Sequence, residues 1–377
     1  MRSVEELGLN PEKVESLLSR VQQEVTEGKL PAAQLALGRN GKVAVLESYG
    51  RASHDSLICI FSATKGIVSA AAWLLFQENK LGEDEVVADI IPEFGSHGKD
   101  QVTVQQLLTH TAGFPNAPFA PLEWNSKTAT LDRFAQWRLN WEPGTRFQYH
   151  ASSSMWVIAE IIERRSGLTY TEFIRKRMLD PLGLDSIFVG LPDAENQRTL
   201  PVEHLGEPMR PEEYKKLGIP AEITEQALLA YNQPDVRAVG VPGGGGFANA
   251  FDLALLYQAM LHGGLDGIKL WKEKTRLCAR EIRSGELTDP MFKCPANRGL
   301  GIIISGDESR NLRGFGKTNS PQAFGHNGAG GQLAWVDPAT GISLAFLTSG
   351  HERDFARQIR RGAAISSLAA ECAIRSV

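Results

Sequence analysis

Strand-like stretches sit at the two ends of this 377-residue chain and helical ones between them, which restricts the fold more than any other feature. Ala33 to Leu37 and Val43 to Tyr49 alternate apolar and polar residues, and Arg39-Asn40-Gly41-Lys42 joins them. An Asn-Gly pair between two such runs predicts a tight hairpin. At the other end Leu300 to Ser305, Gln332 to Val336 and Ile342 to Leu347 read as strands, the last two joined by a turn at Asp337-Pro338-Ala339-Thr340-Gly341. Amphipathic patterns predict helices over 4–28, with Leu7, Val14, Leu17, Leu18, Val21 and Val25 on one face, and over 353–374. Strands from distant parts of a chain must share a sheet to bury their apolar faces. The expected architecture is therefore α/β: an antiparallel sheet built from both termini and flanked by helices, with a mostly helical insertion. Residues 1–60 and 300–377 would form the sheet lobe and 61–299 the helical lobe, with a cleft at their junction.

That junction holds Phe61-Ser62-Ala63-Thr64-Lys65-Gly66, followed by the apolar run Ile67 to Phe76. Residues three apart on a helix share a face, so the Ser62 hydroxyl and the Lys65 amine can meet. A serine hydroxyl becomes a strong nucleophile when a base takes its proton, and burial together with the helix dipole would favour a neutral lysine. The plainer reading of Ser62 is a helix N-cap with a solvated lysine one turn on. A second S-x-x-K, Ser96-His97-Gly98-Lys99, is flanked by glycines, lacks a following apolar run and reads as a surface loop.

Composition narrows the function. The chain is 42% hydrophobic and 22% charged with net charge −4, so it has no basic excess for nucleic acid or an anionic membrane. The N-terminus lacks the apolar core of a signal peptide, and the longest apolar runs are too short to span a bilayer. Four cysteines lie far apart without C-x-x-C spacing, which fits a reduced, cytoplasmic chain. No G-x-S-x-G elbow, H-E-x-x-H or paired Cys/His spacing occurs, so neither a standard α/β-hydrolase nor a metal site is expected.

Four motifs in order carry a family resemblance: Phe61-Ser62-x-x-Lys65-Gly66; Leu107-Leu108-Thr109-His110-Thr111-Ala112-Gly113; Trp141-Glu142-Pro143-Gly144-x-x-Phe147-x-Tyr149; and Gly325-His326-Asn327-Gly328-Ala329-Gly330-Gly331. Together they resemble the serine β-lactamase-like superfamily, and within it the class C β-lactamases and family VIII carboxylesterases. The resemblance implies Ser62 as the acylated nucleophile, Lys65 as its partner and Tyr149 as the residue that carries the proton between nucleophile and leaving group. A phenol with an ordinary pKa near about 10 needs a neighbouring cation for that work, and Lys65 could supply it. The resemblance also implies an oxyanion hole made by the N–H groups of Ser62 and Ala329. His326-Asn327-Gly328 stands where relatives carry Lys-Thr-Gly, on a strand lip that would contact substrate, with His326 bonding Tyr149 or a substrate carbonyl. His110 lies in a shared stretch and reads as a buried structural residue.

Two departures shape the expected substrate. Ala151 stands where lactamases usually place an asparagine, although Ser152 or Ser153 could reach in its place. His326 removes the fixed charge that would attract a β-lactam carboxylate. Both favour an uncharged small-molecule ester, with Phe119 and Trp124, and also Phe114 and Phe247, as expected pocket walls. The sequence thus points to a serine carboxylesterase needing no metal or organic cofactor. β-Lactamase, D-amino-acid peptidase or amidase, and acyltransferase chemistry remain open on the same nucleophile.

Overall fold

A computed structural model describes residues 1–208, 210, 212–213 and 224–374. Its centre is a six-stranded antiparallel sheet. The hairpin forms β1 (Ala32–Arg39) and β2 (Lys42–Gly50), with Asn40 at φ 55° and Gly41 at φ 74° in the turn. Two left-handed residues in succession give the turn whose twist matches that of the strands. Three short strands form a small second sheet: β3 (Ile58–Cys59), β4 (Ile187–Val189) and β5 (Gly246–Ala248). The main sheet is completed by β6 (Ile303–Ile304), β7 (Phe324–Gly325), β8 (Leu333–Val336) and β9 (Ser343–Thr348), in the order β2-β1-β9-β8-β7-β6. Strands from the two chain ends meet at β1 and β9, in the register Ala33↔Thr348 to Gly38↔Ser343.

Helices cover both faces. The two terminal helices, α1 (Pro11–Thr26) and α6 (Phe355–Ala370), cover one. Of the others, α2 (Thr64–Gln77), α3 (Val104–Leu108), α4 (Ser153–Ser166) and α5 (Ala250–His262), α5 covers the opposite face. Side chains alternate accordingly. Leu344 and Phe346 pack with Leu17 and Ile365, whereas Ala345 and Leu347 join Leu253 and Leu256. The alanines Ala36, Ala334 and Ala345 all face the α5 side, where small side chains let a helix lie close to the sheet. This core runs without a break from the sheet into α2 and α4, so the helical middle shares it.

Some boundaries differ from expectation. The first helix begins at Pro11, not residue 4, because the Asn10 side chain accepts from Lys13 N–H and Pro11 takes the first helical position. Leu7 still joins the same apolar cluster, from a turn. The segment expected to be a strand over 300–305 pairs only at Ile303–Ile304. Part of the expected surface excursion over 190–222 lies outside the described residues. Within it, Glu203–Leu205 pairs in parallel with Gly350–Glu352.

The second S-x-x-K does lie in a surface turn, with His97 and Gly98 exposed, but its lysine is not on the surface. His97 and Gly98 take left-handed φ values of 56° and 84°, which breaks any helix between serine and lysine. Lys99 is fully buried, its Nζ donating to the carbonyls of Ser96, at 2.6 Å, and Trp137. The Ser96 hydroxyl is spent on Ala135 O. Burial lowers the Lys99 pKa to about 8.

No helix among the described residues is long and apolar enough to cross a membrane. Phe346, fully buried between the sheet and the terminal helices, tests how far this face holds the fold together. Phe346→Ala should lower the unfolding free energy by about 3–5 kcal/mol in a urea titration.

Candidate active site

Ser62 lies in a single 3-10 turn, Phe61–Ala63, that runs directly into α2. No side chain caps either element, so the N-cap reading of Ser62 fails. Phe61 takes φ 44°, a left-handed conformation uncommon for a bulky residue. Thr64 holds that turn: its hydroxyl donates to Phe61 O at 2.6 Å and accepts from Gly246 N–H at 2.9 Å. The pairing of β3 with β5 brings the Gly243–Gly246 turn alongside, and Ile60 N–H donates to Gly246 O. Those glycines are buried and closely approached. A Cβ at Gly246 would stand 2.7 Å from Thr64 Oγ1, and one at Gly243 would stand 3.0 Å from Ala151 O.

From Thr64 to Leu75 every residue of α2 is buried, and Lys65 has no exposed surface. Its Nζ donates to Ala151 O at 2.7 Å and to Gly243 O at 2.6 Å, and lies 3.5 Å from Ser62 Oγ. Two carbonyls thus fix two tetrahedral directions of the amine and turn a third towards the serine. Ser62 is half-buried between the closed residues Phe61 and Ala63, so its hydroxyl is the group the turn presents.

The second and third motifs are joined by main-chain bonds: Asn140 N–H to Gly113 O, Gly144 N–H to Thr111 O, and Gln148 N–H to His110 O. Gly113, at φ 93°, is required because a Cβ there would stand 2.6 Å from Trp141 O. His110 accepts from His150 N–H through Nδ1 at 3.2 Å, and its ring lies 4.6 Å from that of Tyr149. His150 Nδ1 donates to Gln148 O and Nε2 accepts from Phe114 N–H. Burial drives both histidines towards the neutral form, His110 well below its ordinary pKa and His150 to about 4. They are structural, and they aim Tyr149. The Tyr149 ring lies 4.9 Å from Lys65 Nζ, and its buried hydroxyl has no hydrogen-bond partner among the described residues.

The fourth motif continues β7. His326 N–H donates to Ala334 O and Gly328 N–H to Gln332 O. Gly328 cannot carry a side chain, since its Cβ would stand 2.2 Å from Ile60 O, just before the nucleophile turn. Asn327 packs against Gly314, while Ala329, half-buried, opens the tight turn that follows. His326 Nδ1 lies 2.8 Å from Asn327 O, which can only accept, so the ring proton sits on Nδ1. Nε2 then carries a lone pair, is buried and has no partner among the described residues. Burial, with Arg298 and Lys65 nearby, holds His326 well below its ordinary pKa. This neutral ring can accept a proton donor; in this tautomer Nε2 cannot donate to a substrate carbonyl.

The expected pocket walls need correction. Phe114 and Phe247 are fully buried and so cannot face an open cleft. Phe119 and Trp124 are half-buried and belong to an aromatic cluster of the helical middle. Phe119 lies 4.5 Å from the Trp156 ring, and Trp124 lies 5.1 Å from Trp156 and 5.4 Å from Tyr170. Ser153 donates to Phe114 O and is fully buried, so it cannot replace the missing asparagine. The sequence reading missed Arg298, buried against Tyr149 with its guanidinium 5.4 Å from that ring. It lies in no motif, and nothing local in the sequence marks it.

The approach of Gly328 to Ile60 is the tightest constraint on how the strand lip meets the nucleophile. Gly328→Ala should lower kcat about 100-fold, the cost of displacing a reacting group by about 1 Å. The circular dichroism spectrum should stay native.

Comparisons with known proteins identify the family and the fold. The Beta-lactamase family profile matches residues 17–368. The esterase/β-lactamase LipL of Mycobacterium tuberculosis is 24% identical over 322 residues, 78% of this chain and 70% of that protein. A penicillin-binding protein homologue from Caulobacter crescentus superposes with a TM-score of 0.79 at 27% identity, covering 96% of this chain and 99% of its own. EstA from Arthrobacter nitroguajacolicus gives 0.78 at 25% identity, covering 99% and 100%. With one family profile spanning most of the chain, and the same fold in these neighbours, the protein belongs to the β-lactamase family and is a hydrolase of the serine β-lactamase superfamily.

Proposed function

We propose that this protein is a carboxylesterase that works through an acyl-enzyme on Ser62. The observation that carries the reading is the placement of a half-exposed Ser62 hydroxyl 3.5 Å from a buried lysine whose amine also lies 4.9 Å from the Tyr149 ring. Ser62 Oγ attacks the ester carbonyl while its proton passes to the Lys65–Tyr149 pair. The N–H groups of Ser62 and Ala329 receive the oxyanion, where one such donor is worth about 3–4 kcal/mol in a hydrolase. The C–O bond to the alcohol then breaks, and Tyr149 returns the proton to the departing oxygen. Water attacks the acyl-serine by the same route in reverse and releases the acid.

Three features favour an uncharged ester over a β-lactam. Neutral His326 offers no fixed charge to a carboxylate. Ala151 has no amide to hold the antibiotic's side chain, and its carbonyl is engaged by Lys65. Ser153 is turned away towards Phe114. LipL is described as both esterase and β-lactamase, so β-lactam opening is the second reading.

Hydrolysis of a p-nitrophenyl ester series should fall to background in Ser62→Ala, with nitrocefin turned over far more slowly by the wild type. Full ester activity in Ser62→Ala would end this reading. Nitrocefin cleavage matching the best ester would establish the second one.

A further inference from the structure

We propose that Arg298 is a positioning residue of this reaction, supplying beside Tyr149 the permanent positive charge that the strand lip lacks with His326 in place of a lysine. The inference rests on the acyl-enzyme reading above and extends it to a residue outside every motif.

Arg298 is held before β6 by its own backbone. Its N–H donates to Ser284 Oγ at 3.0 Å, its carbonyl accepts from Arg283 N–H at 2.7 Å, and it bridges to Ile303. The residue is 7% exposed. Its Cζ stands 5.4 Å from the ring centres of both Tyr149 and Phe147. Nε and Nη1 are buried without a hydrogen-bond acceptor among the described residues, and no carboxylate there lies within 4.0 Å of the guanidinium. An unpaired buried cation is costly and needs a compensating negative charge.

Asp289 offsets part of that charge from beyond ion-pair distance, and Tyr149 is the other acidic group beside the guanidinium. Lys65 from α2, His110 from the second motif and His326 from the strand lip surround Tyr149, and His150, next in the chain, lies with its ring against that of His110. Asp289, Cys294 and Arg313 act on Arg298 electrostatically. The three histidines are neutral by burial, and Lys65 is committed to Ser62 and two carbonyls. Of the groups next to Tyr149, Arg298 alone cannot give up its proton. Against a neutral phenol its attraction is the modest one between a cation and a ring face. Once Tyr149 has lost its proton the ring carries a full negative charge, and the attraction grows. Arg298 therefore favours the form of Tyr149 that accepts the Ser62 proton. It exchanges no proton itself: the proton moves from Ser62 Oγ to the tyrosine oxygen, then to the leaving alcohol.

The test is the pH dependence of kcat/KM on a p-nitrophenyl ester, with fluorophosphonate labelling of Ser62 run in parallel. In Arg298→Gln the acidic limb should move up by about 1 pH unit, the low end of what an opposite charge at about 4–6 Å contributes. KM should change little, and Arg298→Lys should keep the limb near its original place. The double variant Arg298→Gln/His326→Lys should bring the limb back down by restoring a charge from the strand lip. If Arg298→Gln does not fold, His326→Lys alone decides: a limb moved to lower pH supports the proposal, and an unmoved one overturns it. An unchanged limb in a folded Arg298→Gln, or a loss confined to KM, also overturns it. Failure of wild-type Ser62 to label would instead remove the acyl-enzyme reading beneath it.

Discussion

One buried amine ties the structure together. Lys65 Nζ reaches Ala151 O, Gly243 O and Ser62 Oγ, so one side chain joins α2, the segment after Tyr149 and the glycine turn before β5. A lysine with no exposed surface is tolerable only when its donors are satisfied. The carbonyls that satisfy it come from segments 86 and 178 residues away in sequence. Moving either segment would strand the amine. The cost of burying Lys65 thus becomes a geometric constraint on the nucleophile, and each surrounding glycine marks a backbone brought too close for a side chain. The other S-x-x-K makes the contrast. Lys99 is equally buried and bound to carbonyls, but a left-handed pair breaks the chain between it and Ser96, so no serine hydroxyl is presented to it.

Around that centre the electrostatics follow from burial. His110, His150 and His326 are each enclosed near cations, and each is held neutral. Their ring nitrogens donate to backbone carbonyls, accept from backbone N–H groups or stay vacant, and the permanent charge falls to arginine. One wall of the site thus carries a neutral imidazole and no fixed positive charge of its own.

Much of this was legible in the sequence because it is local. The Asn40-Gly41 turn, the Asn249 cap of α5, Gly167 ending α4 at φ 73° and the i, i+3 relation of Ser62 and Lys65 each depend on a few neighbouring residues. The four motifs were readable as a set, and the structure shows why: the second and third are laced by main-chain bonds, while Gly328 of the fourth touches the residue before the first. What the sequence could not show depends on convergence across the fold. Arg298 joins Tyr149 from 149 residues away with no spacing to announce it. The aromatic residues Phe114, Phe119 and Trp124 were expected as pocket walls, but which side of the loop they pack on is set by distant segments, and Phe114 went fully into the core. Burial of Lys99 was invisible for the same reason, since its partner Trp137 lies beyond the local turn.

The account stands on a covalent bond to one oxygen. Its most direct test is the intact mass of the protein quenched in acid within milliseconds of mixing with a slowly deacylated ester, followed by peptide mapping. The account predicts a mass increase equal to the acyl group, located on the peptide containing Ser62 and absent from Ser62→Ala. Ester turnover with no adduct at any quench time, or an adduct on another residue, would contradict it.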